Sequence, residues 1–383
     1  NPGAAGFMSA ASRPLRVLMV TPRFFPLIGG VETHVDQVAR RLVQSGAKVT
    51  VLTTDAGGKL SRREQRDGVT IERVRAWPAE RDYYFAPGLV DVIARGSWDL
   101  MHCQSYHTLV APLAMAAALR SRLPYVVTFH GGGHSSRLRN AIRSPQWALL
   151  RPLLARATRL VAVARFEIGL YGRRLRVPAE RFALIPNGAD LPITAQPLPP
   201  LTEAPLIASV GRLERYKGHQ RAIAALPRVL DRYPGARLRI VGTGPYEADL
   251  RQLAQGLGIA RHVEIGGIAP TDRQGMAEVL TRSSVVTLLS DYETHPIAAM
   301  EALAVGRPVV VANTSGLSEL AERGLARSVP LDSSSEQVAA AILEQLERPL
   351  VPPRLDLPTW DDCAAGLLTL YRSIVERPNL CAS

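Results

Sequence analysis

The sequence predicts an α/β protein made of two doubly wound parallel-sheet domains facing across a cleft. Three observations carry that prediction. Short apolar, β-branched runs alternate with stretches of helical periodicity. The alternation halts at a proline-rich segment and then restarts. At 383 residues, the chain is also too long for one ordinary core.

The elements follow in order. "LRVLMVT" (Leu15–Thr21) is a continuous apolar run, as expected of a buried parallel strand. "GGVETHVDQVARRLVQSG" places Val31, Val35, Val38 and Leu42 at helical spacing, and Gly46 supplies the stop. "KVTVLTT", "DLMHC" (Asp99–Cys103), "YVVTFH" (Tyr125–His130) and "RLVAVA" (Arg159–Ala164) repeat the strand theme. Residues 15–195 form the first domain. "LPITAQPLPPLTEAP" (Leu191–Pro205) holds five prolines and sustains neither helix nor central strand, so it reads as the interdomain linker. Residues 196–357 form the second domain. It runs through "LIASVG", a helix from about Gly218 to Tyr233, "RLRIVG", a helix from Tyr246 to Gly256, "HVEIGG", "SSVVTLLS", a helix from Pro296 to Val305 and "PVVVA". Residues 358–383 carry a final helix with Trp360, Leu367, Leu368, Tyr371 and Ile374 on its apolar side. In open α/β sheets, ligands bind beyond the carboxyl ends of the strands, and two such domains would leave a cleft there.

Composition narrows the class. Hydrophobic residues make up 46% of the chain and mean hydropathy is +0.03, which describes a globular protein. No apolar run approaches the ~18 residues of a membrane span. Residues 1–14, with "NPGAAGF" ahead of Met8, read as a cloning remnant and a disordered start. They lack the basic start and long apolar stretch of a signal peptide. Cys103, Cys363 and Cys381 lie far apart without metal-ligand spacing, which suits a reducing compartment. The expectation is a cytoplasmic protein. The stretch Arg137–Arg159 mixes arginines with Trp147, Leu149, Leu150, Leu153 and Leu154. It offers either a peripheral contact with the inner face of a membrane or a core-packed helix with arginines outside. The formal charge of +12 favours anionic partners, phosphorylated small molecules among them.

The chemistry centres on "SDYETHPIAAMEALAVGRPVV" (Ser290–Val310). Pro296 suits an early helical position, leaving Thr294 or His295 as the cap. Glu293 then lies in the strand-to-helix loop and Glu301 in the second turn, roughly 9 Å further along at ~1.5 Å per residue. Paired glycosidase carboxylates converge on one bond. Two acceptors strung along a helix start suit instead a long ligand with hydroxyls at both ends and an anion between them, as in a nucleoside diphosphate-sugar. A loop glutamate plus a solvated helix glutamate is the plain alternative. "VGRLERYKGHQ" puts Arg212 and Lys217 just after a strand, and Lys217 is one of only three lysines. Two fixed cations there would neutralise a diphosphate leaving group without a metal, unless they belong to a solvated basic loop. No Asp-x-Asp is present to hold a divalent metal. Glycines at "PLIGGVETHV" and "VGTGPYEADL" permit close ligand approach. His130 ends its strand before three glycines, in a position open to structural or catalytic use.

Taken together, these stretches resemble the family-4 retaining glycosyltransferases, with the GT-B fold of two Rossmann-like domains. The resemblance runs from Leu15 to about Glu376. It rests on the order of "GGVETHV", "DLMHCQS", "TFHGG", "LIPNGAD", "VGRLERYKG" and "ETHPIAAMEALAVGRPVV", the last matching the Glu-x7-Glu signature. It implies sugar transfer from a nucleotide diphosphate-sugar, UDP leading, to an acceptor hydroxyl, without cofactor or metal. An epimerase of the same fold and a non-catalytic nucleotide-sugar-binding subunit stand as alternatives. The resemblance makes Glu293 the holder of the donor sugar, Glu301 the holder of the ribose, and Arg212 and Lys217 the diphosphate ligands. It sets His130 beside the sugar. Gly29, Gly30, Gly242, Gly244, Ile268, Thr294, His295, Pro296 and Ile297 would line the donor. Glu32, His102, Gln104 and His134 would lie on the acceptor side, with a small-molecule or lipid-linked acceptor and no nucleic acid. The final helix would cross back to the first domain. Thr294 departs from the family's usual glycine, and Gln104 stands where many members have a second histidine.

Overall fold

The structure is a computed structural model, and it describes residues 13–27, 29–78, 84–131, 147–188, 197–269, 272–351 and 357–376. Its first sheet contains β1 (Arg16–Val20), β2 (Lys48–Asp55), β3 (Arg63–Arg66), β4 (Val69–Arg75), β5 (Leu100–Gln104), β6 (Tyr125–Thr128), β7 (Arg159–Ala162) and β8 (Phe182–Leu184), in the order β3-β4-β2-β1-β5-β6-β7-β8. Helices α1 (Gly30–Gln44), α2 (Gly88–Arg95), α3 (Val110–Arg120), α4 (helical residues 147–155) and α5 (Arg165–Leu175) connect these strands. β1 lies between β2 and β5, both parallel to it, with Val17 opposite Val49 and Leu100. The chain order therefore reverses beside β1, and that is the sheet's switch point.

The second sheet contains β9 (Leu206–Val210), β10 (Arg237–Val241), β11 (Val263–Gly266), β12 (Val285–Leu288), β13 (Val309–Ala312) and β14 (Arg327–Val329), in the order β11-β10-β9-β12-β13-β14. Its helices are α6 (His219–Arg232), α7 (Glu247–Gly256), α8 (Arg273–Arg282), α9 (Ile297–Ala304), α10 (Ser315–Glu322) and α11 (Ser335–Glu347). One face packs Ile207, Leu238, Ile240 and Val285 against Ile223, Leu226 and Val229 of α6 and Ile342 of α11. The other packs Ala208, Val286, Leu288 and Val311 against Ala299 and Leu303 of α9 and Leu317 of α10. Burial on both faces explains why these strands read as unbroken apolar runs. Here the switch lies between β9 and β12.

The polar hairpin β3–β4 has no apolar run to announce it. It turns on Asp67 (φ 50°) and Gly68 (φ 79°), the two-residue loop that matches strand twist. The predicted helix of the signature stretch starts one residue late. Pro296, at φ −81° and ψ 72°, is itself the N-cap of α9, so neither Thr294 nor His295 caps it.

By compactness the chain forms two units. The first comprises residues 1–129, 156–160 and 364–383; the second comprises residues 130–155 and 161–363. Most of the final helix, α12 (Trp360–Val375), thus belongs with the first unit, where the Tyr371 hydroxyl bonds His102 Nδ1. We propose the domain boundary between β8 and β9, where the two sheets divide. Residues 1–12 and 191–196 of the predicted start and linker lie outside the described residues. Of the basic stretch, residues 137–146 also lie outside. In α4 the residues Trp147, Leu150 and Leu154 are buried and Leu149 is exposed, the pattern of a core-packed helix. No helix among the described residues is long and apolar enough to cross a membrane.

Candidate active site

The switch point of the second sheet brings two loops together. The loop after β9 runs through Arg212 and a tight turn, Arg215–Lys217, into α6. The loop after β12 runs from Leu289 to Pro296. Four contacts stitch them. The Asp291 N–H donates to Tyr216 O at 2.7 Å, and the Ser290 hydroxyl to Lys217 O at 3.3 Å. The Arg221 guanidinium reaches Leu289 O at 3.0 Å and Asp291 Oδ1 at 2.7 Å. Gly218, at φ 76°, admits the close approach, because a Cβ there would strike the Leu289 carbonyl.

This stitching sets the Lys217 ammonium on the Glu293 carboxylate, and both side chains are largely enclosed, at 15% and 17% exposure. Arg212 beside them is 67% exposed, donating to Tyr216 Oη at 2.7 Å and pairing with Glu214 at 2.8 Å. Its loop is held from beneath by His219. Nε2 of that ring meets Arg212 O at 3.2 Å, and Nδ1 meets the Ser209 hydroxyl at 2.8 Å. Burial pushes His219 down to about 4, so the ring is neutral, with the proton on the nitrogen that faces the carbonyl. Sequence reasoning missed His219, although it stands two residues after Lys217.

The Glu293 backbone is fixed from the other side. Its N–H donates to Ser315 Oγ at 2.8 Å, and its carbonyl accepts the Gly316 N–H at 2.8 Å. A side chain at Gly316 would collide with the Glu293 and Thr294 carbonyls. Glu301 is buried in the second turn of α9 and pairs with Arg273, the first residue of α8. That partner too was missed, and only the helix-start pattern around Asp272 could have pointed to it. Thr294 is buried, and its hydroxyl donates to Gly131 O. The His295 ring faces the Asn187 and Val163 backbones, and burial pushes it down to about 4. Pro296 and Ile297 form the start of α9, and half-buried Ile268 follows β11. Gly242 and Gly244 have a packing reason of their own: a Cβ at either would collide with the Gly211–Leu213 backbone.

His130 leaves β6 at φ 44°, a left-handed conformation that costs a non-glycine residue about 1–3 kcal/mol. A Cβ on the neighbouring Gly131 would meet the hydroxyls of Tyr171, Tyr292 and Thr294. His130, Lys217, Arg212, Glu293 and Glu301 all belong to the second unit.

In the first unit, Gly29 caps α1 and Gly30 opens it, with nothing within 4 Å of a Cβ at Gly30. The Glu32 carboxylate fills the space beside Gly29 and pairs with Arg23 at 3.2 Å. His102 and Gln104 are fully enclosed. His102 Nε2 meets the Thr128 hydroxyl at 2.7 Å, and burial pushes the ring down to about 3. These two residues of β5, expected on the acceptor side, present no exposed group. His134 lies outside the described residues. Among the described residues, no cluster of three or more His, Cys, Asp or Glu has the makings of a metal site.

Residues 28–192 match the Glycosyltransferase Family 4 description and residues 193–357 match Glycosyl transferases group 1. The chain is 30% identical over 376 residues to glycogen synthase of Mycobacterium tuberculosis, covering 89% of this chain and 88% of the relative. It belongs to glycosyltransferase family 4. The fold is GT-B. Sucrose-phosphate synthase of Thermosynechococcus elongatus superposes with TM-score 0.77 at 21% identity, covering 94% of this chain and 99% of that one. HepE of Anabaena in complex with UDP superposes with TM-score 0.69 at 20% identity, covering 95% and 99%. The protein is a glycosyltransferase.

Proposed function

We propose that this family-4 enzyme transfers a sugar from a nucleoside diphosphate-sugar to an acceptor hydroxyl with retention of configuration, and that it needs no metal. The observation that carries the reading is the placement of Lys217, Arg212 and Glu293 on adjacent loops at the switch point between β9 and β12. In this reading Lys217 and Arg212 take the diphosphate and stabilise the charge that grows on it as the glycosidic bond breaks. Glu293 accepts hydroxyls of the donor sugar, and Glu301 those of the ribose. The departing phosphate takes the acceptor's proton, in front-side attack through an oxocarbenium-like state. UDP is proposed first because HepE, a solved structure of the same fold, holds UDP. A peripheral membrane contact through the basic stretch Arg137–Arg159 belongs to the same reading, and the acceptor is a small-molecule or lipid-linked hydroxyl.

A thermal-shift screen of nucleoside diphosphates and their sugars identifies the donor, since ligands of the folded state raise its stability by mass action. With that donor, Lys217→Ala lowers kcat about 100- to 1000-fold, the scale of removing one preorganised charge partner. Near wild-type turnover overturns the assignment. Chelation with EDTA leaves activity unchanged, and a loss restored by Mg²⁺ or Mn²⁺ overturns the metal-free reading.

A further inference from the structure

Helix α10 does more than hold the signature loop by its first turn. Ser315 and Gly316 fix the N–H and the carbonyl of Glu293. One turn further on, Glu319 reaches a different helix. Its Oε1 accepts the Phe166 N–H at 2.7 Å, across 153 positions of sequence. Phe166 is the second residue of α5. Its ring meets the ring of Tyr292 edge to face, with centroids 5.9 Å apart and planes at 80°. Tyr292 immediately precedes Glu293. These contacts close a circuit. It runs from Glu293 through Ser315 and Gly316 to Glu319, on to Phe166, and back through Tyr292. All of these residues belong to the second unit. We propose that Glu319 and Phe166 are positioning residues: they form a bracket that ties α5 to α10, holds Tyr292 and so sets Glu293 at the donor sugar.

Each link has a physical reason. The first N–H groups of a helix find no partner within it. A serine, threonine, aspartate or asparagine at the cap position usually supplies one. Ala164, the cap of α5, has no side chain that can. Glu167, in the first turn, uses its Oε2 on the Val163 N–H at 2.8 Å. The Phe166 N–H is left to Glu319, and a carboxylate suits that place because the helix start favours negative charge. The edge-to-face approach of Phe166 and Tyr292 is an attractive geometry for two rings. A cap that served α5 alone would need no particular address. This one sits on the short helix whose first two residues grip Glu293, and Leu317 and Leu320 bury that helix in the core. One rigid element therefore holds both the signature backbone and the helix that packs on Tyr292. Losing either Glu319 or Phe166 opens the circuit on the same side of Glu293.

The proposal rests on the reading that Glu293 holds the donor sugar, and the experiment separates the two. The full chain is assayed with its identified donor for kcat and melting temperature. Titration calorimetry gives the Kd of the matching nucleoside diphosphate, which has no sugar for Glu293 to hold. The variants are Glu319→Ala, Glu319→Gln, Phe166→Leu, the Glu319→Ala/Phe166→Leu double and Glu293→Ala. The bracket predicts that Glu319→Ala and Phe166→Leu each lower kcat by about tenfold or more, the scale of a misplaced reacting group. The diphosphate Kd changes by less than about threefold, because interactions made with the sugar alone are lost. Glu319→Gln keeps the acceptor oxygen and restores kcat to within about threefold of wild type. The double is no worse than the worse single within about threefold, because both act through one circuit. Phe166→Leu keeps an apolar side chain and carries the test alone if Glu319→Ala fails to fold. Wild-type kcat in Phe166→Leu or in folded Glu319→Ala, with Glu293→Ala impaired, overturns the bracket and leaves the donor reading standing. Multiplicative losses in the double overturn it too, as does a Glu319→Gln enzyme as slow as Glu319→Ala. A diphosphate Kd that weakens in step with kcat marks general damage to the fold and also overturns it. Wild-type kcat in Glu293→Ala overturns the reading beneath it.

Discussion

At the residue scale, chemistry was legible where it needed a particular side chain at a particular distance along the chain. Lys217 stood out in an arginine-rich sequence, and the structure sets it on Glu293, 76 positions away. Residues that act through other residues left no such mark. His219 is the clearest case. It joins the Ser209 hydroxyl to the Arg212 carbonyl inside the protein, and nothing in "KGHQ" says so. His219→Ala leaves the Ser209 hydroxyl buried and unpaired and leaves the Arg212 carbonyl with the Glu214 N–H alone, which destabilises the fold by about 1–3 kcal/mol. It also frees the loop that carries Arg212, so donor KM rises more than kcat falls. Urea midpoints and steady-state kinetics check this. A His219→Ala enzyme with unchanged stability and KM would show that the bridge is idle. Ser315 and Arg273 were illegible for the same reason, since each gains its meaning from a tertiary neighbour.

At the element scale, the strands were readable because both faces of each sheet are covered, so their sequences are continuous and apolar. The polar hairpin β3–β4 and the three-residue strands β8 and β14 were not, because too few residues carry a pattern. The start of α10 shows what the alternation of strand and helix leaves out. Its first two residues, Ser315 and Gly316, grip the backbone of Glu293, although "NTSGLSEL" reads only as an ordinary helix start. Gly316→Ala has no room for its methyl group against the Glu293 and Thr294 carbonyls. The signature loop must shift, and kcat/KM falls at least tenfold with a stability loss of about 1–3 kcal/mol, the range of an overpacked site. Gly256→Ala, at the end of α7 with nothing within 4 Å of the added carbon, is the control. It is neutral or stabilising by up to about 1 kcal/mol. Equal behaviour of the two variants would remove α10 from the account of the site.

At the scale of the whole molecule, buried titratable groups set how stability follows pH. Burial holds His102 at about 3 and His219 and His295 at about 4, against an ordinary 6.5. Below pH 6.5 the unfolded chain takes up these three protons and the folded chain does not, so stability is lost as pH falls towards 4. Glu167 runs the other way. Burial raises it from 4.5 to about 7, so the folded chain takes its proton first, and that contribution is lost as pH rises through 7. Between pH 4.5 and 6.5 the three histidines oppose one glutamate, a net difference of two protons. At about 1.4 kcal/mol per proton and pH unit, stability then climbs by roughly 3 kcal/mol per unit. The first unit carries His102 and the second carries the other three groups, so separate melting transitions would both move upward with pH. Calorimetry across this window should show the climb. Glu167→Gln removes the opposing proton and steepens the slope to roughly 4 kcal/mol per unit. It also abolishes the decline between pH 6.5 and 7.5. A flat profile would mean that these histidines are solvated in the folded chain, and a shallower slope in the glutamine variant would mean that Glu167 is ionised throughout.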